Sequence, residues 1–136
     1  MSQGNVKTIR KMFAIVNERG VGAATEAFGD LLAPEFALEE ADDLPDPEAY
    51  TGKEAFVENM AKLEESFEEL RLEPLEIVDL GEKIIVVVSM SGRGQGSSVP
   101  VEMTFAQLWS VRDGKAVSLR DYATKADALE AVGLSE

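Results

Sequence analysis

Apolar positions recur along the chain with two different periods, and the change between them divides it into a helical first half and an extended second half. Val6, Ile9, Phe13 and Val16 follow at steps of three and four, with Lys7, Arg10, Lys11 and Glu18 between them. That spacing predicts an amphipathic helix over 5–19, ended by Gly20 and Gly22. The stretch AATEAFGDLLAPEF, with Phe28, Leu31 and Leu32 apolar, predicts a second, shorter helix stopped at Pro34. A brief extended piece then leads into acidic residues and two prolines, Pro45 and Pro47, which predict a solvated loop. Its acids lack the alternate spacing, turn glycine and distal Glu of a calcium loop. Thr51 and Glu54 have the spacing of a capping box, and Phe56, Met60, Leu63 and Phe67 mark one face of a third helix.

From residue 69 onward the period falls to about two. Leu70 and Leu72, then Leu75 and Ile77, alternate with charged residues. LGEK turns the chain into IIVVVSMSGRG, GQGSS turns it into VPVEMTFAQLWSV, and RDGK, which carries the Asp-Gly hairpin signal, leads into AVSLRDY. Connections this short make neighbouring strands antiparallel. Thr124 with Asp127 three residues on marks the start of a last helix, and Gly133 is placed for the left-handed residue that closes it and brings Leu134 back towards Leu129. Helices segregated from a run of strands predict an α+β fold, a curved antiparallel sheet wrapped around the N-terminal helices as one domain over 1–136. A sheet that curls strongly around the third helix makes a cone with an internal pocket, a natural ligand site.

Composition narrows the chemistry more than the fold. The 136 residues include no His and no Cys, which excludes a Ser-His-Asp triad, a cysteine nucleophile and a zinc site built on imidazole or thiolate. Acid-base work falls to Asp, Glu, Tyr or Lys. With 26 Asp and Glu against 13 Lys and Arg the net charge is -13, which repels phosphate backbones and anionic membrane surfaces. Nucleic acid and membrane are therefore not expected partners. The longest apolar run, IIVVV, is far short of a membrane span of roughly 20 residues, and the start reads as no secretory signal. The cytoplasm is the expected location. GRGQG at 92–96 joins two strands and opens no helix, so it lacks the geometry that cradles phosphate, and no cofactor is expected.

Three stretches carry a resemblance: YTGKEAF before the third helix, FAQLWSVRDGKAV across the last hairpin and RDYATKADALEAVGL at the end. In this order and spacing the chain resembles the SnoaL-like branch of the nuclear-transport-factor-two-like, or ketosteroid isomerase-like, superfamily over nearly its whole length. The resemblance implies an α+β cone, a deep apolar pocket and a homodimer joined through the outer sheet surface. Members include ketosteroid isomerases, polyketide cyclases, epoxide hydrolases and dehydratases, so function does not follow from the fold. The epoxide-hydrolysing members set an Arg between two Asp residues, and no second Asp stands at a suitable strand position here. The paired inward acids of a ketosteroid isomerase are absent too, since Glu102 and Asp79 fall on exposed or turn positions.

The pleat singles out Asp121. Val117, Leu119 and Asp121 alternate onto one face, Ser118, Arg120 and Tyr122 onto the other. The apolar face meets the helices, which aims Asp121 at the interior or the pocket mouth, where burial would raise its pKa and suit it to a general base. Against this stands a structural role, as a cap for the last helix or an ion-pair partner of Arg93 or Arg120. Arg93 is a candidate anchor for an anionic substrate group if it faces inward with Ser89 and Ser91, and otherwise a solvent-exposed cation. Tyr50 is a candidate phenol donor or a packed aromatic, and Trp109 a candidate substrate platform, a core residue or a dimer contact. Two kinds of function follow. One is proton transfer on a small apolar ring substrate, of isomerase, cyclase or dehydratase type; the other is a non-catalytic hydrophobic-ligand or dimeric scaffold module.

Overall fold

We describe the computed structural model of the protein over residues 2–20, 28–39 and 53–134. The elements in chain order are α1 (Ser2–Arg19), β1 (Leu32–Glu39), α2 (Lys53–Ser66), β2 (Phe67–Asp79), β3 (Lys83–Gly94), β4 (Pro100–Arg112), β5 (Lys115–Tyr122) and α3 (Lys125–Ala131). The five strands form one open sheet in the order β1-β5-β4-β3-β2. β2 to β5 are antiparallel neighbours, whereas β1 runs parallel to β5, so the sheet is mixed rather than purely antiparallel.

The second helix expected to stop at Pro34 lies largely outside the described residues; Phe28 is helical, and from Gly29 the chain departs from that expectation. Gly29–Leu31 form a single 3-10 turn and β1 begins at Leu32, so Pro34 lies within a strand. A proline is tolerated there because β1 is an edge strand and its pairing with β5 is irregular between Leu32 and Ala37. The loop prolines, Tyr50 and Thr51 lie outside the described residues. α2 passes directly into β2 at Phe67, which is the first residue of the strand rather than part of the helical face.

The hairpin turns follow from their residues. Asp113 and Gly114 both have positive φ, 54° and 76°, the type I′ arrangement that Asp-Gly favours and that matches the twist of the strands. At the end of α3, Gly133 has φ 81°. The Leu134 amide donates to the Leu129 carbonyl at 2.9 Å and the Gly133 amide to that of Glu130 at 3.0 Å, the paired bonds of a Schellman closure. The side chain of Leu134 stays exposed.

The sheet separates two apolar layers. On the inner face, Ile84, Val86, Val88, Trp109, Val111 and Leu119 pack with Ile9, Met12, Phe13 and Val16 of α1 and Phe56 of α2. On the outer face, Ala128 and Leu129 of α3 cover Ile85 and Ala106. Polar side chains fix where α1 lies. Asn5 Nδ2 donates to the carbonyls of Gly81 and Val111, and Thr8 Oγ1 donates to that of Gly114. Asn17 grips β2 from both sides: its Nδ2 donates to the Leu72 carbonyl at 2.8 Å and its Oδ1 accepts from the Leu72 amide at 3.0 Å. β2 is the other edge of the sheet, so Asn17 satisfies backbone groups that would otherwise lack a partner strand. Replacing Asn17 by Ala removes both bonds, and chemical denaturation should show a stability loss of about 1–3 kcal/mol; an unchanged midpoint would contradict this account of helix docking.

Candidate active site

A cavity of about 430 Å³ lies between the inner face of the sheet and the two longer helices. Met12, Phe13 and Val16 project into it from α1, and Phe56, Met60 and Leu63 from α2. The strands supply Leu72, Met90, Met103, Phe105, Gln107, Trp109, Leu119 and Asp121. The i, i+3, i+4 spacing of the helical residues places them on one side of each helix, and the period of two does the same for the strands. Among the described residues the wall is therefore apolar apart from Gln107, Asp121 and the rim residue Tyr122.

Asp121 reaches this face because of a one-residue irregularity. Next to the Asp-Gly turn, Val111 opposes Ala116; one step further along β4, Ser110 opposes Ser118. The extra residue, Val117, is a β-bulge that shifts all later pairs by one. Gln107 then faces Asp121, whereas regular pairing continued from the turn would have set Gln107 opposite Arg120. Leu119 and Asp121 consequently share the cavity side with Trp109 and Gln107. Facing side chains of this kind have Cβ atoms about 4.5–5.5 Å apart.

Asp121 stands at the cavity mouth and is exposed rather than enclosed. It does not cap α3: Thr124 does, its Oγ1 accepting from the Asp127 amide at 3.1 Å. Arg120 is directed to the other face, its guanidinium carbon 5.3 Å from the centre of the Tyr122 ring.

Arg93 is not brought to the cavity. Pairing of β3 with β4 is unbroken from Lys83 to Arg93, and Met90 lines the cavity, so Ser89, Ser91 and Arg93 fall on the opposite face by alternation. Arg93 is exposed, with Nε 3.9 Å from Glu69 Oε2. It can neither pair with Asp121 nor hold a group bound in the cavity. Tyr50 lies outside the described residues. Trp109 is on the inner face, buried, with its ring centroid 6.5 Å from that of Phe36, which places it in the core and the cavity wall together and away from the outer sheet surface.

Gln107 is the residue that pattern reading passed over. It is buried, lines the cavity, and its Oε1 accepts from Trp109 Nε1 at 3.0 Å. The available signal was a polar residue between Phe105 and Trp109 on a face that is otherwise apolar. Among the described residues no group of three or more acidic side chains is placed to hold a metal ion, and no helix is long and apolar enough to cross a membrane.

An open sheet with helices on its inner face and an apolar cavity between them defines a small α+β class of protein. The SnoaL-like domain model matches residues 9–119, and the chain belongs to that family. Its solved neighbours are nuclear-transport-factor-two-like and ketosteroid isomerase-like folds. A candidate SnoaL-like polyketide cyclase from Jannaschia sp. CCS1 is 20% identical, with a TM-score of 0.72 over 96% of this chain and 90% of that one. A nuclear-transport-factor-two-like protein of unknown function from Burkholderia pseudomallei K96243 is 20% identical, with a TM-score of 0.69 over 93% and 95%. AclR, a candidate hydroxylase from Streptomyces galilaeus, is 15% identical, with a TM-score of 0.70 over 98% of each chain. Likeness at these identities establishes the shared fold. No functionally curated protein matches the chain.

Trp109 is the single tryptophan, so its fluorescence reports on the cavity wall alone. Emission of the folded protein should be blue-shifted and shielded from iodide, and should move red on unfolding; a solvent-like folded spectrum would place the ring elsewhere.

Proposed function

We propose that the protein binds a small, mostly apolar ring compound in the cavity and that Asp121 moves a proton on it. The observation that supports this most directly is the placement of one carboxylate, the one acid among the described residues of the wall, at the mouth of a mostly apolar cavity. A bound ring would bring apolar surface over that carboxylate and remove its water, which strengthens its basicity only when substrate is present. The carboxylate would take a hydrogen from a carbon next to a carbonyl. The C–H electron pair becomes the carbon-carbon double bond of an enolate, the charge passes to the oxygen, and the proton is returned to the same or a conjugated carbon. Isomerase, cyclase and dehydratase chemistry all begin in this way. Neighbours described as a candidate polyketide cyclase and a candidate hydroxylase are compatible with small-molecule processing. The reaction needs no cofactor.

A second reading has its own support. Asp121 is exposed and is the one acid in the cavity wall among the described residues, which also suits a binding module that converts nothing.

Deuterium exchange separates the two. With 1-tetralone in D₂O, the protein should accelerate exchange at the carbon beside the carbonyl, and Asp121→Asn should lower that rate by about 10²-fold or more while the fold and ketone binding persist. Equal exchange by the variant would remove Asp121 as the base. Binding without any exchange would establish the binding-module reading.

A further inference from the structure

Three polar side chains, Asn5, Thr8 and Gln107, are buried among the described residues. Asn5 and Thr8 hold α1 to the hairpin turns. Gln107 joins no element to another. It sits mid-strand on the inner face, opposite Val86 on one side and Asp121 on the other, and it borders the cavity. Burying an amide among apolar walls costs about 1–3 kcal/mol unless its polar ends find partners, so its presence there calls for a reason.

The bond to Trp109 determines which way the amide is turned. An indole nitrogen is a donor only, so it engages the oxygen end of the amide and never the nitrogen end. With Oε1 held 3.0 Å from Trp109 Nε1, the NH₂ is the end left to face other groups, and accepting from the indole polarises it into a better donor. We infer that the Gln107 NH₂ is the hydrogen-bond donor that recognises a ring carbonyl oxygen in the cavity, and that Trp109 is a positioning residue that keeps the amide from turning over. The inference rests on the cavity being a ligand site and names its substrate class: neutral, enolisable cyclic ketones. In that pose the oxygen meets Gln107, and the hydrogens on the adjoining carbon lie towards Asp121, the next side chain across the β4–β5 pair. Gln107 thereby takes the oxyanion-stabilising role that Arg93, on the opposite face, cannot fill.

The test compares 1-tetralone with tetralin, the same two rings without the carbonyl, by calorimetric titration of the whole chain, with Trp109 fluorescence confirming the site. The readout is the ratio of the two dissociation constants, which cancels general changes in the pocket. In Gln107→Met the side chain keeps nearly the same length and shape but the donor is gone, and the preference for the ketone should fall by about tenfold. Gln107→Leu should do the same with tetralin affinity nearly unchanged, and if that variant fails to fold, Gln107→Met decides alone. Trp109→Phe should lower the ratio several-fold, since the amide is then free to turn; a Trp109 role confined to stability would leave the ratio as it was. Binding to Trp109→Phe is followed by calorimetry alone. A ketone preference that survives both Gln107 substitutions would overturn the inference while leaving the cavity a ligand site. A wild-type protein that binds neither compound would overturn both.

Discussion

The attachment of α1 to the sheet by side chains that bond backbone is the interaction on which the cavity depends. Burial of Ile9, Met12, Phe13 and Val16 supplies more energy, about 1.5–3 kcal/mol for each large apolar side chain, but that attraction is not directional and would tolerate a helix shifted along the sheet. The bonds of Asn5, Thr8 and Asn17 contribute about 1 kcal/mol each and are directional. They tie α1 to the two hairpin turns at Gly81 and Gly114 and to the edge strand at Leu72. Hydrophobic burial thus decides that the helix docks, and the polar bonds decide where. Met12, Phe13 and Val16 then stand over a space that the sheet alone would leave open.

A second constraint operates inside the sheet. Side chains alternate with a period of two, so one inserted residue exchanges the faces of everything beyond it. Val117 is that residue. The Asp-Gly turn sets the pairing of Arg112 with Lys115, and the bulge then passes the inner face to Leu119 and Asp121 and the outer face to Ser118 and Arg120. The sign of the charge at the cavity mouth is fixed by this local irregularity, since the neighbouring residue in the strand is an arginine.

Legibility in the sequence followed the range of the interactions. α1, β2 to β5, the Asp113-Gly114 turn and the Thr124 cap depend on neighbours within a few residues, and their periods and turn residues exposed them. β1 declared itself only in its second half, as the brief extended piece from Phe36; Leu31 and Leu32 suit a helix or a strand, and what selects the strand there is parallel pairing with β5, more than 80 positions away. Arg93 was ambiguous for a different reason. Ile84, Ile85, Val86 and Val88 are all fully buried, because α3 covers part of the outer face as α1 covers the inner one. With both faces apolar the alternation that would have assigned Arg93 disappears. Asp121 was correctly placed on the face of Leu119, but its exposure at the rim depends on the cavity's shape. Gln107 broke an apolar face visibly, while its orientation depends on an indole hydrogen that no pattern reveals.

The same physics explains why the polar group beside Asp121 is an amide rather than a cation. A guanidinium inside an apolar cavity loses its hydration at a cost of several kcal/mol unless an anion compensates it closely, and the one cavity acid among the described residues is exposed to solvent. A primary amide costs about 1–3 kcal/mol to bury, much of it returned here by Trp109. It still offers two N–H bonds and adds no charge. In a chain of net charge -13, anionic ligands are disfavoured before they reach the mouth, and Asp121 disfavours them again on entering. A neutral donor at depth and a carboxylate at the rim therefore favour the same ligand under the proposed function, one that would arrive uncharged and acquire negative charge only after giving Asp121 its proton, at the oxygen that Gln107 would hold.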